Sequence, residues 1–540
     1  MVKGSVALRA AVLRLAQDEL ALHSGEQVAT ILWDVENFYD SMGLELLMGA
    51  AERLHFPLRM LAISIQVYLS PRYLRASGCY SLGTQPSASI VAGCSRANAM
   101  ARIYLYHALD RAHTLYPDAA PKQFVDDLAQ RASGTCKGLL RRLGSAAVHI
   151  VRGLRGLQCG VSSKSVIVAS SPACGDALRN RILRETGLDL KSVSCGKDLG
   201  VASGAGRRRL GVLNARLKKA QVRGARVKRL ARVDKKARKL YSTGLQPVAA
   251  YGAVATGLTH SKVEQLRTLA VDACGLPSGR CKTTALSLAF GEEGDPAVAM
   301  RTLILKDWIA FWRGASTSLR ASLRHYWARM LPSWAKPYRW SRVRGPCGVV
   351  AATLFDVDWS PAAPDVWYPP QREGQEQQGW RISQDGPIAD FVAALTATIM
   401  QPLWRKAASH RCGTGCQDGV DLTSFRRHLS HFSNKGHFDS YNLLCAAGAG
   451  ALWPEQRKHE AGFRTCPTCP QCGLAPETEA HQLWGCHASS QCESDFLRER
   501  ALASADVCSI FWLRGITPSA WTARPYIPVG LEKTLALCFV

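Results

Sequence analysis

Three acids carry the first suggestion of chemistry in this sequence. Asp126 and Asp127 are adjacent in Lys122-Gln123-Phe124-Val125-Asp126-Asp127-Leu128-Ala129, between two short apolar flanks. Neighbouring carboxylates repel, and a divalent cation is a common means of neutralising them. A solvated turn is the plain alternative, because Asp bonds readily to its own backbone. A third acid, Asp34, closes the apolar run Val28-Ala29-Thr30-Ile31-Leu32-Trp33, and a carboxylate at a strand's end projects into the crevice where open sheets bind ligands. Asp34, Asp126 and Asp127 are therefore candidate ligands for a divalent metal.

A second set of residues suits a softer metal. Cys466, Cys469 and Cys472 are spaced at Cys-x-x-Cys intervals and are followed by His481 and Cys486. Thiolates two residues apart on a turn, joined by a later His and Cys, fit a tetrahedral zinc with no open position, hence a structural site. The preferred ligands are Cys469, Cys472, His481 and Cys486, with Cys466 able to replace Cys469 or Cys472. Cys412, Cys416, His428 and His431 lack the turn residues of this cluster.

Composition sets the context. The 540-residue chain is long enough for two to four domains, and its formal charge of +26 with a pI near 9.6 points to a polyanionic partner, nucleic acid first. There is no apolar run of the roughly 18 residues that a membrane span needs, so no membrane partner is expected. Met1–Leu20 reads as an amphipathic helix and lacks a signal peptide's apolar block, so secretion is not expected. An odd number of cysteines, 19, scattered in such a chain implies reduced thiols and a metal cluster.

The elements that must position these groups follow from periodicity and breakers. A helix is predicted over 5–23, with Val6, Leu8, Val12, Leu13, Leu15 and Leu20 as its apolar side, then a strand over 28–33. Ser89–Ser95 leads into a helix over 96–115, and Gly93 and Ser95 stand at an entrance where small residues let a ligand approach. After the Asp126-Asp127 hairpin come a helix over 138–157, a turn carrying Lys164, a strand over 166–168 and a short strand and turn over 197–201. Between Arg207 and Leu240 fifteen Lys and Arg face the single acid Asp234, while Leu210, Leu213, Leu217, Val227, Leu230, Val233 and Leu240 supply an apolar stripe. Such a helix would follow a phosphate backbone without reading sequence, through Arg216, Lys219, Arg223, Arg226, Arg229 and Lys236. A nuclear-import signal is a compatible second use. Residues 291–360 read as helical, their tryptophans mainly as core. Pro361–Pro387 reads as a polar linker and domain boundary.

Taken in order, the acid-ended strand with Tyr39 five residues on, the small-residue turn Ala92–Ser95, the Phe124–Asp127 hairpin, the Lys164 turn and the Leu199-Gly200 turn resemble the palm of reverse transcriptases, most closely those of non-LTR retrotransposons. Gln246-Pro247 through Tyr251-Gly252 resembles the segment that follows the thumb helices there, and the Cys/His set resembles their zinc knuckle. The resemblance implies an α+β fold: a right-hand polymerase palm over 1–203 with the fingers largely missing, a basic helical thumb over 204–290, a helical connection over 291–360, a linker over 361–388, a helical region over 389–460, a CCHC knuckle over 461–490 and a C-terminal tail over 491–540. It also implies an RNA-directed DNA polymerase acting on an RNA template, a DNA primer or target and deoxynucleoside triphosphates, in the nucleus, with a cytoplasmic phase during ribonucleoprotein assembly. Two magnesium ions would be bridged by Asp34 and Asp126 with Asp127 in support and the carbonyl of Val35 as an extra donor, since magnesium prefers oxygen; Tyr39 would sit under the incoming sugar, and Lys164 would protonate the leaving pyrophosphate. The turn Ala92-Gly93-Cys94 departs from the family's Pro-Gln-Gly. A rival of another class is a catalytically inactive nucleic-acid-binding relic of such an enzyme.

Overall fold

The acid-ended strand is the middle of a five-stranded sheet. The computed structural model describes residues 7–86, 88–91, 93–125, 127–371, 378–382, 388–488 and 492–522. The strands are β1 (Gln27–Trp33), β2 (Lys122–Phe124), β3 (Asp127–Gly134), β4 (Val166–Ala169) and β5 (Lys191–Val193), in the order β2-β3-β1-β4-β5. β1 runs antiparallel to both β3 and β4, and β5 lies parallel to β4. A strand covered on both faces reads as a continuous apolar run, which is why β1 lacks polar alternation. Its Ala29, Ile31 and Trp33 pack with Leu128, Ala132 and Ile167 against the helices Ala97–Leu115 and Ser145–Gly156. Val28 and Leu32 point to the opposite face, with Ala129 and Val168.

A small hairpin, β6 (Gly196–Asp198) and β7 (Val201–Ser203), lies on that second face. Glycine is required at its start: a Cβ on Gly196 would stand 2.7 Å from Val168 and 2.8 Å from Leu32.

The first helix, Ala7–His23, read from the sequence as amphipathic, also buries Arg14, Asp18 and Glu19 from its charged side. It is wedged between the sheet and the C-terminal helices, so its charges are buried in pairs. Arg14 makes a two-pronged ion pair with Asp198, each hydrogen bond 2.7 Å long. Asp18 accepts from Arg131 at 2.5 Å. Glu19 accepts from the backbone N–H groups of Gly345 (3.1 Å), Cys347 (3.0 Å) and Gly348 (3.2 Å) at the start of the helix Pro346–Phe355, where unpaired N–H groups and the helix dipole favour an anion. Burial nevertheless pushes the Glu19 carboxyl up, and raises Asp18 to about 6 against the pull of Arg131.

Beyond the sheet the chain is mainly helical around one large core. Trp308, Trp312, Trp327 and Trp334 are fully buried, and Trp340 is half-buried under Arg208. Two sequence expectations fail here. The predicted linker over 361–388 contributes a three-stranded sheet, Ser360–Ala363, Val366–Tyr368 and Trp380–Arg381, because Trp367 and Ile382 have an apolar cluster with Trp359 and Phe391 to enter; its residues 372–377 and 383–387 lie outside the described residues. The predicted tail over 491–540 instead supplies the helices Asp495–Ser504 and Ser509–Trp512, with Ile510, Trp512 and Ile516 in the core; 523–540 lie outside the described residues. Among the described residues no helix is long and apolar enough to cross a membrane.

Candidate functional site

Sheet register determines which of the predicted acids meet. The last pair of β1 with β3 is Trp33↔Leu128, and one step beyond it on each strand stand Asp34 and Asp127. Residues directly opposite in an antiparallel pair have Cα atoms about 5 Å apart. Side chains alternate between faces, so Asp34 shares the face of Leu32 and Asp127 that of Ala129, and both of those belong to the second face. The two carboxylates thus emerge side by side at one end of the sheet, Asp34 half-buried and Asp127 exposed. Asp126 falls outside the described residues; the flanking pair Phe124↔Asp127 makes the segment a hairpin, as expected, and Val125 takes a positive φ of 61° in it.

The chain beyond Asp34 is held by the turn that carries Lys164. The N–H of Asp34 donates to Ser165 Oγ at 2.9 Å, its carbonyl accepts from the N–H of Ser162 at 2.8 Å, and the N–H of Glu36 donates to the carbonyl of Gly160 at 2.8 Å. These bonds flank the bridge Val35↔Val161, so the carbonyl of Val35 is directed away from that strand. Lys164 is exposed on this turn, its own N–H donating to Ser162 Oγ at 3.2 Å. Ser162 and Ser165 set the position of Asp34, a role that the sequence reading missed although the Ser-Ser-Lys-Ser alternation beside the strand was its signal.

Tyr39, half-buried, donates from its hydroxyl to Asn98 Oδ1 at 3.2 Å, and its carbonyl accepts from the N–H of Ile90 at 2.9 Å. This joins the segment after Asp34 to the start of the helix Ala97–Leu115, beside which Gly93 and Ser95 are exposed. Gly93 adopts φ +89°, a conformation that favours glycine, and a Cβ there would meet open space. Ala92 lies outside the described residues. Tyr68 donates to Cys94 Sγ at 3.3 Å, a hydrogen bond that holds the thiol below its usual range.

The basic segment is two elements rather than one helix over 207–240. The helix Gly211–Val233 ends where Asp234 accepts from the N–H of Lys236 at 2.8 Å and starts the turn Lys235–Arg238. Its buried positions are Leu213, Leu217, Ala220, Gly224, Val227 and Ala231, while Leu230, Val233 and Leu240 of the expected stripe are exposed. Small residues replace leucines where the helix His260–Ala273 crosses: a Cβ on Gly224 would come 2.1 Å from Leu269. Lys219, Arg223, Arg226, Arg229 and Lys236 are exposed as expected. Arg216 is engaged within the fold. It donates to the carbonyls of Gly200 (2.6 Å) and Tyr251 and stacks on the Tyr251 ring at 4.9 Å, while Tyr251 donates to the carbonyl of Leu199 at 3.0 Å.

The ligand atoms of Cys469, Cys472, His481 and Cys486 lie within 4.8 Å of one another. Cys469 Sγ is 3.9 Å from Cys486 Sγ, and Cys472 Sγ is 3.3 Å from His481 Nε2. With Zn–S bonds of about 2.3 Å, tetrahedral coordination places sulfur pairs about 3.8 Å apart, so the donors fit zinc. Gly473, at φ +68°, closes the turn as its N–H donates to the carbonyl of Cys469 at 2.9 Å. Cys466 stands outside the group, exposed and hydrogen-bonded to Thr468 at 3.0 Å, which removes it as an alternative ligand. Trp484, between two of the ligands, is buried and donates to the carbonyl of Trp512 at 2.7 Å.

No protein-family model matches the chain, and no curated protein matches it either.

Proposed function

We propose that this chain is an RNA-directed DNA polymerase of the non-LTR retrotransposon kind, extending a DNA primer on an RNA template, with the sheet as its palm and the basic helix as part of its thumb. The observation that carries the reading is the register of β1 with β3, which makes Asp34 and Asp127 neighbours on one face of the sheet. Carboxylate oxygens at a solvent-facing sheet end suit magnesium, and Asp34, Asp127 and Asp126 would hold it. A bound pair of magnesium ions would supply activation of a primer 3′-hydroxyl and neutralisation of the departing pyrophosphate.

The remaining roles belong to side chains. Tyr39, fixed through its hydroxyl to Asn98, offers a ring beneath the sugar of the incoming deoxynucleoside triphosphate and opposes a 2′-hydroxyl by bulk. Lys164, exposed on the turn that holds Asp34, gives a proton to the pyrophosphate as it leaves. Lys219, Arg223, Arg226, Arg229 and Lys236 contact the duplex backbone. The Cys/His cluster takes a structural zinc.

Primer extension is the test. The purified chain should elongate a DNA primer on an RNA template with magnesium and not with EDTA, and Asp126→Asn should abolish elongation. Salt-sensitive nucleic-acid binding without elongation in either protein would refute the polymerase reading and favour a binding-only protein.

A further inference from the structure

Residues 53–109 contain no Asp and no Glu but six arginines, Arg53, Arg59, Arg72, Arg75, Arg96 and Arg102, in a chain with 42 acids in total. From this stretch rises a two-stranded ribbon. Arg72 pairs with Thr84, Arg75 with Tyr80 and Ala76 with Cys79, around a Ser77-Gly78 turn with φ of +50° and +84°. Every residue from Arg72 to Thr84 is exposed. Isolated two-stranded hairpins are marginal in water, and this one shows solvent Tyr73 (61% exposed), Leu74 (79%), Tyr80 (66%) and Leu82 (93%). Alternation along the first strand puts Tyr73 and Arg75 on one face with Tyr80, the partner of Arg75, where the Arg75 guanidinium sits 5.5 Å from the centre of the Tyr80 ring.

The ribbon is anchored beside the acid end of the sheet. Arg72 donates to Ser89 Oγ at 3.3 Å, and Ser89 Oγ donates to Asp40 Oδ1 at 3.2 Å, one residue after Tyr39. An aromatic–arginine–aromatic face without carboxylates matches single-stranded nucleic acid, whose bases stack on rings and whose phosphates seek cations. A protein partner would not require the absence of acids over 57 consecutive positions (109 − 53 + 1).

We infer that the Tyr73/Arg75/Tyr80 face of this ribbon is a stacking platform for unpaired nucleic acid, guiding the single-stranded template toward the acid end of the sheet. The template role rests on the polymerase reading; the binding itself does not.

The test is fluorescence anisotropy of the full chain with a labelled, unstructured single-stranded RNA, without primer or magnesium. Tyr73→Ala and Tyr80→Ala should each weaken binding by about ten-fold. Tyr73→Phe and Tyr80→Phe should restore it, and the slope of log affinity against log salt should not change. Arg75→Gln should instead lower that slope by about 0.7. Unaltered RNA affinity in the Tyr→Ala proteins would overturn the platform, most clearly if they lose a wild-type self-association in light scattering, which would mark the ribbon as a protein-docking surface. RNA affinity that does not depend on the ribbon, with elongation intact, would sink the platform alone, and ribbon-dependent binding without any elongation would sink the polymerase reading alone.

Discussion

The two candidate metal sites differ in how they are closed. At the acid end of the sheet, Asp34 and Asp127, from strands far apart in sequence, stand one step beyond the last pair of β1 and β3, with Asp127 exposed and Asp34 half-buried. In the Cys/His group, four donors from an 18-residue segment (469–486) surround a point, two of them buried, and the segment inserts Trp484 into the core. An open site can exchange ligands and do chemistry, whereas a closed one can only hold the chain together. One site should therefore govern rate and the other stability, and the contrast can be broken by finding either effect at the wrong site.

The largest effect is expected at the closed site. Structural zinc in small modules contributes about 10–16 kcal/mol to their folding, so a zinc-selective chelator, or Cys486→Ala, should expose the segment around 466–486 to protease and lower the melting temperature. Removing magnesium should leave that temperature unchanged. At the open site Asp34→Asn should cut primer elongation by about a thousand-fold or more, about 4 kcal/mol of barrier, with stability within about 0.5 kcal/mol of wild type by urea unfolding.

Next in size are the buried charges of the first helix. Arg14→Met leaves Asp198 buried without its cation and should cost about 3 kcal/mol. Asp18 titrates near 6 in the folded chain against an ordinary 3.8. Its favourable contribution is therefore complete below about pH 3.8 and is lost as the pH rises through 6. The stability of Asp18→Asn relative to wild type should improve between pH 4 and pH 7, by at most about 3 kcal/mol, measured by urea unfolding at each pH. The smallest effect belongs to the basic helix: replacing Lys219 or Arg223 with Gln should lower the salt slope of duplex binding by about 0.9 each, and a thermal shift within a degree would confirm that these residues are purely surface groups.

How far the sequence was legible follows from the range of each interaction. The strand before Asp34, the hairpin at Phe124–Asp127 and the four ligands from Cys469 to Cys486 were readable, because alternation, turn chemistry and short spacing are local signals. The burial of charge on the first helix was missed because its charges are satisfied by partners far away in sequence: Arg14 by Asp198, Glu19 by the N–H groups of Gly345, Cys347 and Gly348. The stripe on the basic helix was misread because close packing against Leu269 selects Ala220 and Gly224 rather than leucine. Arg216 looked like its cationic neighbours, and only the fold reveals that its guanidinium ties Gly200 to Tyr251. Residues 361–388 looked like a linker because prolines and glutamines outnumber the two residues, Trp367 and Ile382, that carry the segment into the core.

The claim that Asp34 and Asp127 share one cation site is tested most directly by iron cleavage. Ferrous ion substituted for magnesium, with ascorbate and peroxide, cuts backbone next to where it binds. Cuts near residue 34 and near residue 127 in the same preparation, both suppressed by excess magnesium and both lost in Asp34→Asn, are the expected result. Cuts at only one of the two, or cuts near 127 that persist in Asp34→Asn, would contradict it.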